Sequence, residues 1–328
     1  MAKKKIPAAK KTSSIRTSSE KSAYPDISTV LSGVQMKNPL VLSSGYLGTT
    51  ASILVRSARE GAGAVTAKSC SLQPRAGHRN PTVISTDDFV MNAVGLSNPG
   101  AVDMEFEVRE AVKGAGALGV PVFASIFGET ISEYGEVAAI IAKAKPAILE
   151  VNVSCPNISN EGKMFGADVG DVQAVVYSVK DACGRIPVYV KLSPNVNDIS
   201  KIAKAAIEAG ADGITAINTL RGMMIDPIAR KPVFTNITAG VSGPAIKPIA
   251  LRCVYEIRKA VGPTVPIIGG GGIVSGRDAA EMILAGATAV GIGSAICYRE
   301  KPFEQIAGEL ARFMQENNHA KLLDLKLQ

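Results

Sequence analysis

Eight short runs of β-branched and apolar residues alternate with alanine-rich segments, and this alternation constrains the fold more than any other feature of the chain. Between most neighbouring runs lies a segment long enough to form a helix. Repeated strand–helix units predict an α/β fold with a parallel sheet, and eight units in 328 residues predict a TIM (β/α)8 barrel. An open, doubly wound sheet is the structural alternative. The runs are LVLSS (40–44), AVTAKS (64–69), VFASI (122–126), ILEVNVS (148–154), VYVKLS (188–193), GITAIN (213–218), PIIGG (266–270) and AVGIG (289–293).

Glycines mark where the predicted helices end. In REGAGAV, IEAGADGI and LAGATAVGI a helical segment stops at a glycine and leads directly into a strand. Glycine accepts the left-handed backbone conformation that closes a helix, so these junctions support the same fold. In SGRDAAEMILAG, Ser275 lies three residues before Asp278, which is the spacing of a capping box at a helix start.

Three connections are too long to be simple turns. Residues 70–121, between the second and third strands, are predicted to include a lid or hairpin over the barrel mouth. Residues 155–170 and 219–243 are predicted to be long loops. Both leave the carboxyl ends of strands, which is where the loops of a barrel carry its chemistry.

The positive charge of the chain is concentrated at its start. The first 22 residues contain seven Lys or Arg and one acidic residue, so they carry six of the seven net charges. This composition, without the apolar core of a secretory signal, predicts a disordered basic tail over 1–24 and one barrel domain over 25–328. A transit peptide and a nucleic-acid-binding arm are alternative interpretations of the tail. No run of 18 apolar residues predicts a membrane span.

The cysteine content argues for a reducing, cytoplasmic compartment. The five cysteines form no CxxC pair and there are only two histidines, so neither a zinc site nor an iron–sulfur cluster is predicted in this chain, and no metal ligand is expected. All cysteines except Cys155 are expected to be buried and inert.

Polar residues end six otherwise apolar strands. They are Ser44, Lys68, Ser125, Asn152, Lys191 and Asn218. Serines at these positions could simply mark where strands stop. Two lysines facing a barrel interior are different, because each carries a desolvation cost unless an anion or an electron-rich ligand neutralises it. We therefore predict that Lys68 and Lys191 face a ligand.

The last two strands end in glycines. Gly269–Gly272 precede one predicted helix, and Gly293 and Ser294 follow the final strand. Consecutive backbone N–H groups at a helix start bind phosphate, and the loops after strands seven and eight are the usual phosphate site of this barrel. The spacing fits neither a Walker A sequence nor a dinucleotide fingerprint. It suggests a mononucleotide such as FMN.

Cys155 stands just past a strand, between Asn152 and Asn157. Two amides offer donors and acceptors that can hold a planar ring of alternating C=O and N–H groups, such as a pyrimidine. The thiol is then the only good titratable base near them in sequence. We predict a catalytic role for Cys155 on this ground.

Together these segments resemble one family, dihydroorotate dehydrogenase. The matching motifs run in order from about residue 26 to 312. They are NP-VL-SSG (38–45), MNAVGLSNPG (91–100), NVSCPN (152–157), YVKLSPNVNDI (189–199), INTLRGM (217–223), GVSGPAIKPIALR (240–252) and GGGGIVSGRDA (269–279). Cysteine in the SCPN position is similar to class 1 of the family, and GPAIKPIALR and FGAD (165–168) are most similar to class 1B.

The resemblance implies an FMN enzyme that oxidises (S)-dihydroorotate to orotate in pyrimidine (UMP) biosynthesis. Class 1B implies NAD⁺ as the final acceptor and a partner subunit that carries FAD and a [2Fe–2S] cluster, and class 1 relatives build on a homodimer. A fumarate-linked class 1A enzyme is the nearest alternative. A dihydropyrimidine dehydrogenase-like oxidoreductase and an IMP dehydrogenase-like enzyme are further ones.

The resemblance also implies a role for each matching residue. Cys155 would take the C5 proton while the C6 hydride passes to FMN N5, with Lys68 and Asn152 completing the catalytic set. Lys191 would stabilise the anionic reduced flavin near N1/O2. The substrate contacts implied are Lys68, Asn92, Val94, Gly95, Leu96, Asn152, Asn157, Asn218 and Thr219. The FMN contacts implied are Ser44, Gly45, Lys68, Ser69, Ser125, Asn152, Lys191, Ile217, Ser242, Gly243, Gly270, Gly271, Gly272, Gly293 and Ser294.

Overall fold

Eight parallel strands close into a barrel in the computed structural model, which describes residues 25–154 and 164–327. Each strand pairs with the next along the chain, and the last pairs with the first through Val290 and Leu40. The predicted barrel is thus confirmed, and the open sheet is wrong. The strands are β1 (Leu40–Leu42), β2 (Ala64–Thr66), β3 (Val122–Ile126), β4 (Ile148–Asn152), β5 (Val188–Leu192), β6 (Gly213–Ala216), β7 (Ile267–Gly270) and β8 (Ala289–Ile292).

A helix follows every barrel strand and packs on its outer side. The helices are α1 (Ala51–Arg59), α2 (Ala101–Gly116), α3 (Ile131–Ile141), α4 (Val169–Ala182), α5 (Ile199–Glu208), α6 (Lys247–Val261), α7 (Gly276–Leu284) and α8 (Pro302–Glu316). Short 3-10 segments lie at Ala142–Ala144, Phe165–Ala167, Pro244–Ile246, Ser294–Cys297 and Leu322–Asp324. Within the described ranges, none of these helices combines the length and the apolar character that crossing a membrane requires. The predicted tail, residues 1–24, lies outside the described residues.

The helix ends follow the sequence signals. Gly61, Gly210 and Gly286 have φ values of 101°, 99° and 115°, in the region that favours glycine. Ser275 and Asp278 form the predicted capping box at the start of α7, each side chain accepting from the backbone N–H of the other residue.

Alternation along each strand separates two apolar layers. In β4, Leu149 and Val151 pack outward against the helices, whereas Ile148 joins the core inside the barrel. A short hairpin, Thr29–Leu31 and Val34–Met36, adds Leu31 and Met36 to this inner core. The inner core lies at the amino ends of the strands, so the carboxyl ends are left for polar side chains.

A small antiparallel sheet lies over the carboxyl ends of the barrel. The 70–121 insertion contributes the hairpin Val83–Ser85 and Val90–Asn92, as predicted. The 219–243 segment was expected to be a long loop, and this is wrong in part. It contains Leu220–Met223 and Thr238–Ser242, which pair with each other and extend the hairpin into a four-stranded sheet, and a two-stranded ribbon at Ile225–Asp226 and Lys231–Pro232.

Candidate active site

A continuous cleft occupies the barrel mouth beneath the antiparallel sheet. Its inner part is narrow, about 90 Å³, and is lined by the carboxyl ends of the strands and the glycine loops. Its outer part is about 690 Å³ and opens between the sheet and the barrel. The two parts share lining residues, so they form one space. The shared residues are Ser44, Tyr46, Lys191, Asn218 and Thr219.

The structure brings most of the predicted site residues to this cleft. The inner part is lined by Ser44, Lys191, Ile217, Asn218, Thr219, Ser242, Gly270, Gly271, Gly272, Gly293 and Ser294. The outer part adds Gly45, Lys68, Ser69, Asn92, Val94, Gly95, Leu96 and Asn152. Ser125 and Gly243 do not line it but support it from behind, through Ser69 and Gly272 respectively. Cys155 and Asn157 lie outside the described residues.

The glycine loops after β7 and β8 leave backbone donors directed at the inner cleft. Among residues 25–154 and 164–327, no protein group accepts a hydrogen bond from the N–H of Gly272, Gly293 or Ser294. A Cβ on Gly272 would lie 2.7 Å from Lys247 Cβ and 2.9 Å from Gly243 O, so only glycine fits. Unpaired N–H groups around a close backbone approach suit a phosphate. This observation is consistent with the phosphate end of a mononucleotide.

Tyr46 closes the same region and was not predicted from the sequence. Its hydroxyl lies 2.8 Å from Ser242 Oγ, and its ring would be 3.1 Å from a Cβ on Gly293. Burial raises the pKa of the Tyr46 phenol, while the hydrogen bond with Ser242 opposes that shift in part. Tyr46 therefore stands as a neutral hydroxyl beside the glycine loops.

Two amides are held in a fixed orientation at the junction of the inner and outer cleft. Asn152 Oδ1 accepts from Ser154 N at 3.1 Å and from Asn218 Nδ2 at 3.3 Å. Asn218 Oδ1 accepts from Thr219 N at 2.9 Å. Both carbonyl oxygens are thus engaged, which leaves Asn152 Nδ2 as a donor for a ligand carbonyl. The half-buried Lys68 lines the outer cleft beside them.

Other buried hydroxyls in the cleft have no protein partner. Thr215 Oγ1, at the inner cleft, and Ser154 Oγ, at the outer cleft, accept or donate no hydrogen bond within the described parts of the chain. Buried polar atoms left in this way are uncommon and indicate a site where a polar ligand binds. The cleft thus offers polar groups to a bound polar ligand.

Glu150 lies among these groups and was also missed. The residue is 5% exposed and lines the inner cleft, where Oε1 accepts from Ser44 Oγ at 2.6 Å and from Ser125 Oγ at 2.9 Å. The signal that could have revealed it is strand alternation, because it lies two residues before Asn152 on the same face.

The prediction that the remaining cysteines are buried is confirmed for three of the four. Cys70, Cys183 and Cys253 are buried, and burial raises the pKa of each thiol, that of Cys70 to about 12. Cys297 is exposed and lines the outer cleft, so the expectation of a buried residue is wrong there. It is the last residue of the 3-10 segment after β8, which brings it to the barrel mouth.

The fold and the cleft define a (β/α)8 barrel with glycine loops, paired amides and two lysines at its mouth. A model of the dihydroorotate dehydrogenase family matches residues 26–314. The "Dihydroorotate dehydrogenase B (NAD(+)), catalytic subunit" of Geobacter sp. (strain M21) is 43% identical over 90% of this chain and 95% of its own length. The protein of the same name from Methanosarcina mazei is 44% identical over 89% of this chain and 91% of its own length. That from Methanocaldococcus jannaschii is 42% identical, over 89% and 94%.

The chain belongs to the dihydroorotate dehydrogenase family. The predicted resemblance is confirmed, including its closer likeness to the NAD-linked class, since all three relatives bear that name. The family is one of flavin-dependent oxidoreductases, so a flavin cofactor follows from membership.

Proposed function

We propose that this chain is the catalytic subunit of an NAD-linked dihydroorotate dehydrogenase and oxidises (S)-dihydroorotate to orotate for pyrimidine synthesis. The observation that carries the proposal is one cleft, in a chain of this family, that joins a backbone phosphate site to paired amides and a lysine. We further propose a cytoplasmic enzyme, with a homodimer as its core.

FMN is the cofactor that these residues would hold. The N–H groups of Gly272, Gly293 and Ser294 would bind its phosphate, with Ser242 and Gly243 beside them. Ser44, Lys191 and Asn152 would contact its ring system. When bound, FMN supplies an acceptor for the two electrons that leave the substrate.

The chain's own side chains would orient the substrate. Lys68 and the backbone of Val94–Leu96 would bind its carboxylate, because an ammonium and N–H donors form charge-assisted hydrogen bonds to it. Asn152 Nδ2, fixed by the contacts of its Oδ1, would donate to a ring carbonyl. Asn92, Asn157, Asn218 and Thr219 complete the proposed substrate contacts.

Cys155 is the proposed general base that removes the C5 proton. A free thiol is mostly protonated at neutral pH, so this role requires either a lowered pKa or a high pH optimum. Lys68 and Asn152 would keep the substrate in place while the proton is removed.

The purified protein should be yellow, and its flavin absorbance at roughly 450 nm should bleach when dihydroorotate is added without oxygen, because a flavin loses this absorbance when it accepts two electrons. The Cys155→Ala variant should retain FMN and lose most of this reduction. Cys297→Ala is the matched control, because it removes the other thiol at the cleft and should leave reduction intact. A colourless protein that takes up no FMN, or full reduction of Cys155→Ala, would contradict the proposal.

The identity of the final electron acceptor is tested separately. The names of the relatives support an NAD-linked complex, in which the partner subunit would carry FAD and a [2Fe–2S] cluster. Affinity purification from the native cell should recover a second polypeptide with FAD and iron, and the complex should reduce NAD⁺ with dihydroorotate. Turnover with fumarate by the isolated chain would instead identify a class 1A-type enzyme, and preference for dihydrouracil a dihydropyrimidine dehydrogenase-like one.

A further inference from the structure

A buried carboxylate, Glu150, lines the inner cleft at the carboxyl ends of the strands, next to the apolar core that fills the amino ends of the barrel. Glu150 and Lys191 are 5% and 8% exposed, and Lys191 Nζ is 3.8 Å from Glu150 Oε1. Burying an ion pair is often no more favourable than filling the same space with apolar side chains. Barrel interiors are normally filled by Val, Ile and Leu. The pair therefore calls for a reason other than stability.

The hydrogen bonds around Glu150 have only one consistent direction. Lys191 Nζ donates to Ser44 Oγ at 2.8 Å, and an ammonium cannot accept. The Ser44 proton is then free to go to Glu150 Oε1, 2.6 Å away. Ser125 donates to the same oxygen at 2.9 Å, so the Ser69 hydroxyl must donate to Ser125 over their 2.8 Å contact. Every donor points toward Glu150 Oε1, which acts as the acceptor of this network.

We propose that Glu150 is a positioning residue that, through Ser44 and Lys191, sets the positive charge presented to the flavin and thereby its reduction potential. The inference rests on the proposed function, since it needs a flavin in the inner cleft. Glu150 holds the ammonium and the Ser44 hydroxyl in place and offsets part of the lysine charge. Both Lys191 and Glu150 line the inner cleft, so both fields act on whatever binds there.

The consequence for the flavin has a definite sign. A reduced flavin carries more negative charge than an oxidised one, so a nearby cation raises its potential and a nearby anion lowers it. Glu150→Gln keeps the side chain's size and its acceptor oxygen but removes the negative charge. The Lys191 charge is then less compensated, and the reduced form of the cofactor is favoured.

The experiment measures the two-electron potential of bound FMN without substrate, by equilibration with redox dyes. In Glu150→Gln the ratio of the affinity for reduced flavin to that for oxidised flavin should be at least tenfold higher than in the wild type. This corresponds to a shift of about +30 mV or more in the two-electron potential. Asp212→Asn is the matched control. It also removes one carboxylate, but one that accepts from Lys180 Nζ and Val188 N at 2.8 Å, at the amino ends of the strands. Its potential should equal that of the wild type.

A second variant tests the inference if Glu150→Gln does not fold. Ser125→Ala removes one hydroxyl donor from Oε1 and leaves the lysine contact intact, so the carboxylate is less compensated and the potential should fall. A wild-type potential in whichever of these variants folds, or a negative shift in Glu150→Gln, would overturn the inference. Failure of the proposed function is a different result, because the wild-type protein would then bind no FMN, or would bind FMN that dihydroorotate does not reduce.

Discussion

The glycine loop after β7 offers the sharpest test of the phosphate site. Gly272 has φ +75°, and an added Cβ would lie 2.7 Å from Lys247 Cβ, 2.8 Å from Lys247 N and 2.9 Å from Gly243 O. Two of these atoms are backbone and the third is a Cβ, so none can swing away. Gly272→Ala must therefore push the β7 loop away from the segment that begins at Gly243.

The structure provides a matched control for the backbone strain. Gly184, between α4 and β5, has φ +65° and nothing within 4 Å of an added Cβ. The free energy of unfolding of Gly184→Ala should be lower than that of the wild type by about 1–2 kcal/mol, which is the strain of an L-residue in the left-handed conformation. The free energy of unfolding of Gly272→Ala should fall by the same amount and by about 1–3 kcal/mol more, because the added methyl group overpacks the site. The difference between the two variants isolates the clash.

Two measurements decide the outcome. Urea unfolding of the flavin-free proteins should show the extra loss of stability in Gly272→Ala. FMN titration should show binding weakened at least tenfold in Gly272→Ala, about 1.4 kcal/mol, and little changed in Gly184→Ala. If Gly272→Ala bound FMN like the wild type, or were no less stable than Gly184→Ala, the argument that the loop after β7 packs on the segment at Gly243 to form the phosphate site would be refuted.

Three further outcomes follow from the charges and the cleft. Burial by itself raises the pKa of Asp278, but hydrogen bonds from Lys247, Ser275 and Val274 outweigh it and hold that pKa below its ordinary 3.8. The ionised carboxylate therefore stabilises the fold above pH 3.8, and that stabilisation is lost as pH falls through the lower folded pKa. The Asp278→Asn variant should be less stable than the wild type at pH 7, and its free energy of unfolding should fall less on acidification. Urea unfolding from pH 7 to about 2 measures both. Lys191→Met should lower the free energy of unfolding by about 3–5 kcal/mol, because it leaves Glu150 buried without its cation. Adding Glu150→Gln should recover more than half of this in a double-mutant cycle, and strict additivity would argue against the coupling. Removal of FMN should lower the free energy of unfolding by about 2.7 kcal/mol relative to protein at 100 times the Kd, and an unchanged melting temperature would argue against FMN as the ligand.

The barrel itself could be predicted because its signals are local. Each strand is a short apolar run, and several junctions carry a glycine, as Gly61, Gly210 and Gly286 show. The sheet over the mouth could not be predicted in the same way. Thr238–Ser242 pairs with Val90–Asn92, and nothing near either segment identifies a partner so distant in the chain. Pairing over such separations depends on the closed barrel, which brings the two insertions together.

The same distinction separates the predicted from the missed site residues. Lys191 and Asn152 stand out because a polar residue at the end of an apolar strand is conspicuous in the sequence. Glu150 lies inside such a strand, and its significance depends on Ser44 and Ser125, which come from two other strands of the barrel. Tyr46 depends likewise on Ser242, which lies 196 residues away.

The polar groups at the barrel mouth limit what the fold can gain from its own core. Lys191, Glu150 and the unpaired hydroxyl of Thr215 take positions near those that a purely structural barrel fills with apolar side chains. Hydrogen bonds with Ser44 and Ser125 compensate the desolvation of the charged pair. Within residues 25–154 and 164–327, no partner is found for the hydroxyl of Thr215 or for the N–H groups of Gly272, Gly293 and Ser294. A ligand that satisfies them stabilises the folded chain, so cofactor binding and folding stability are thermodynamically linked at this cleft.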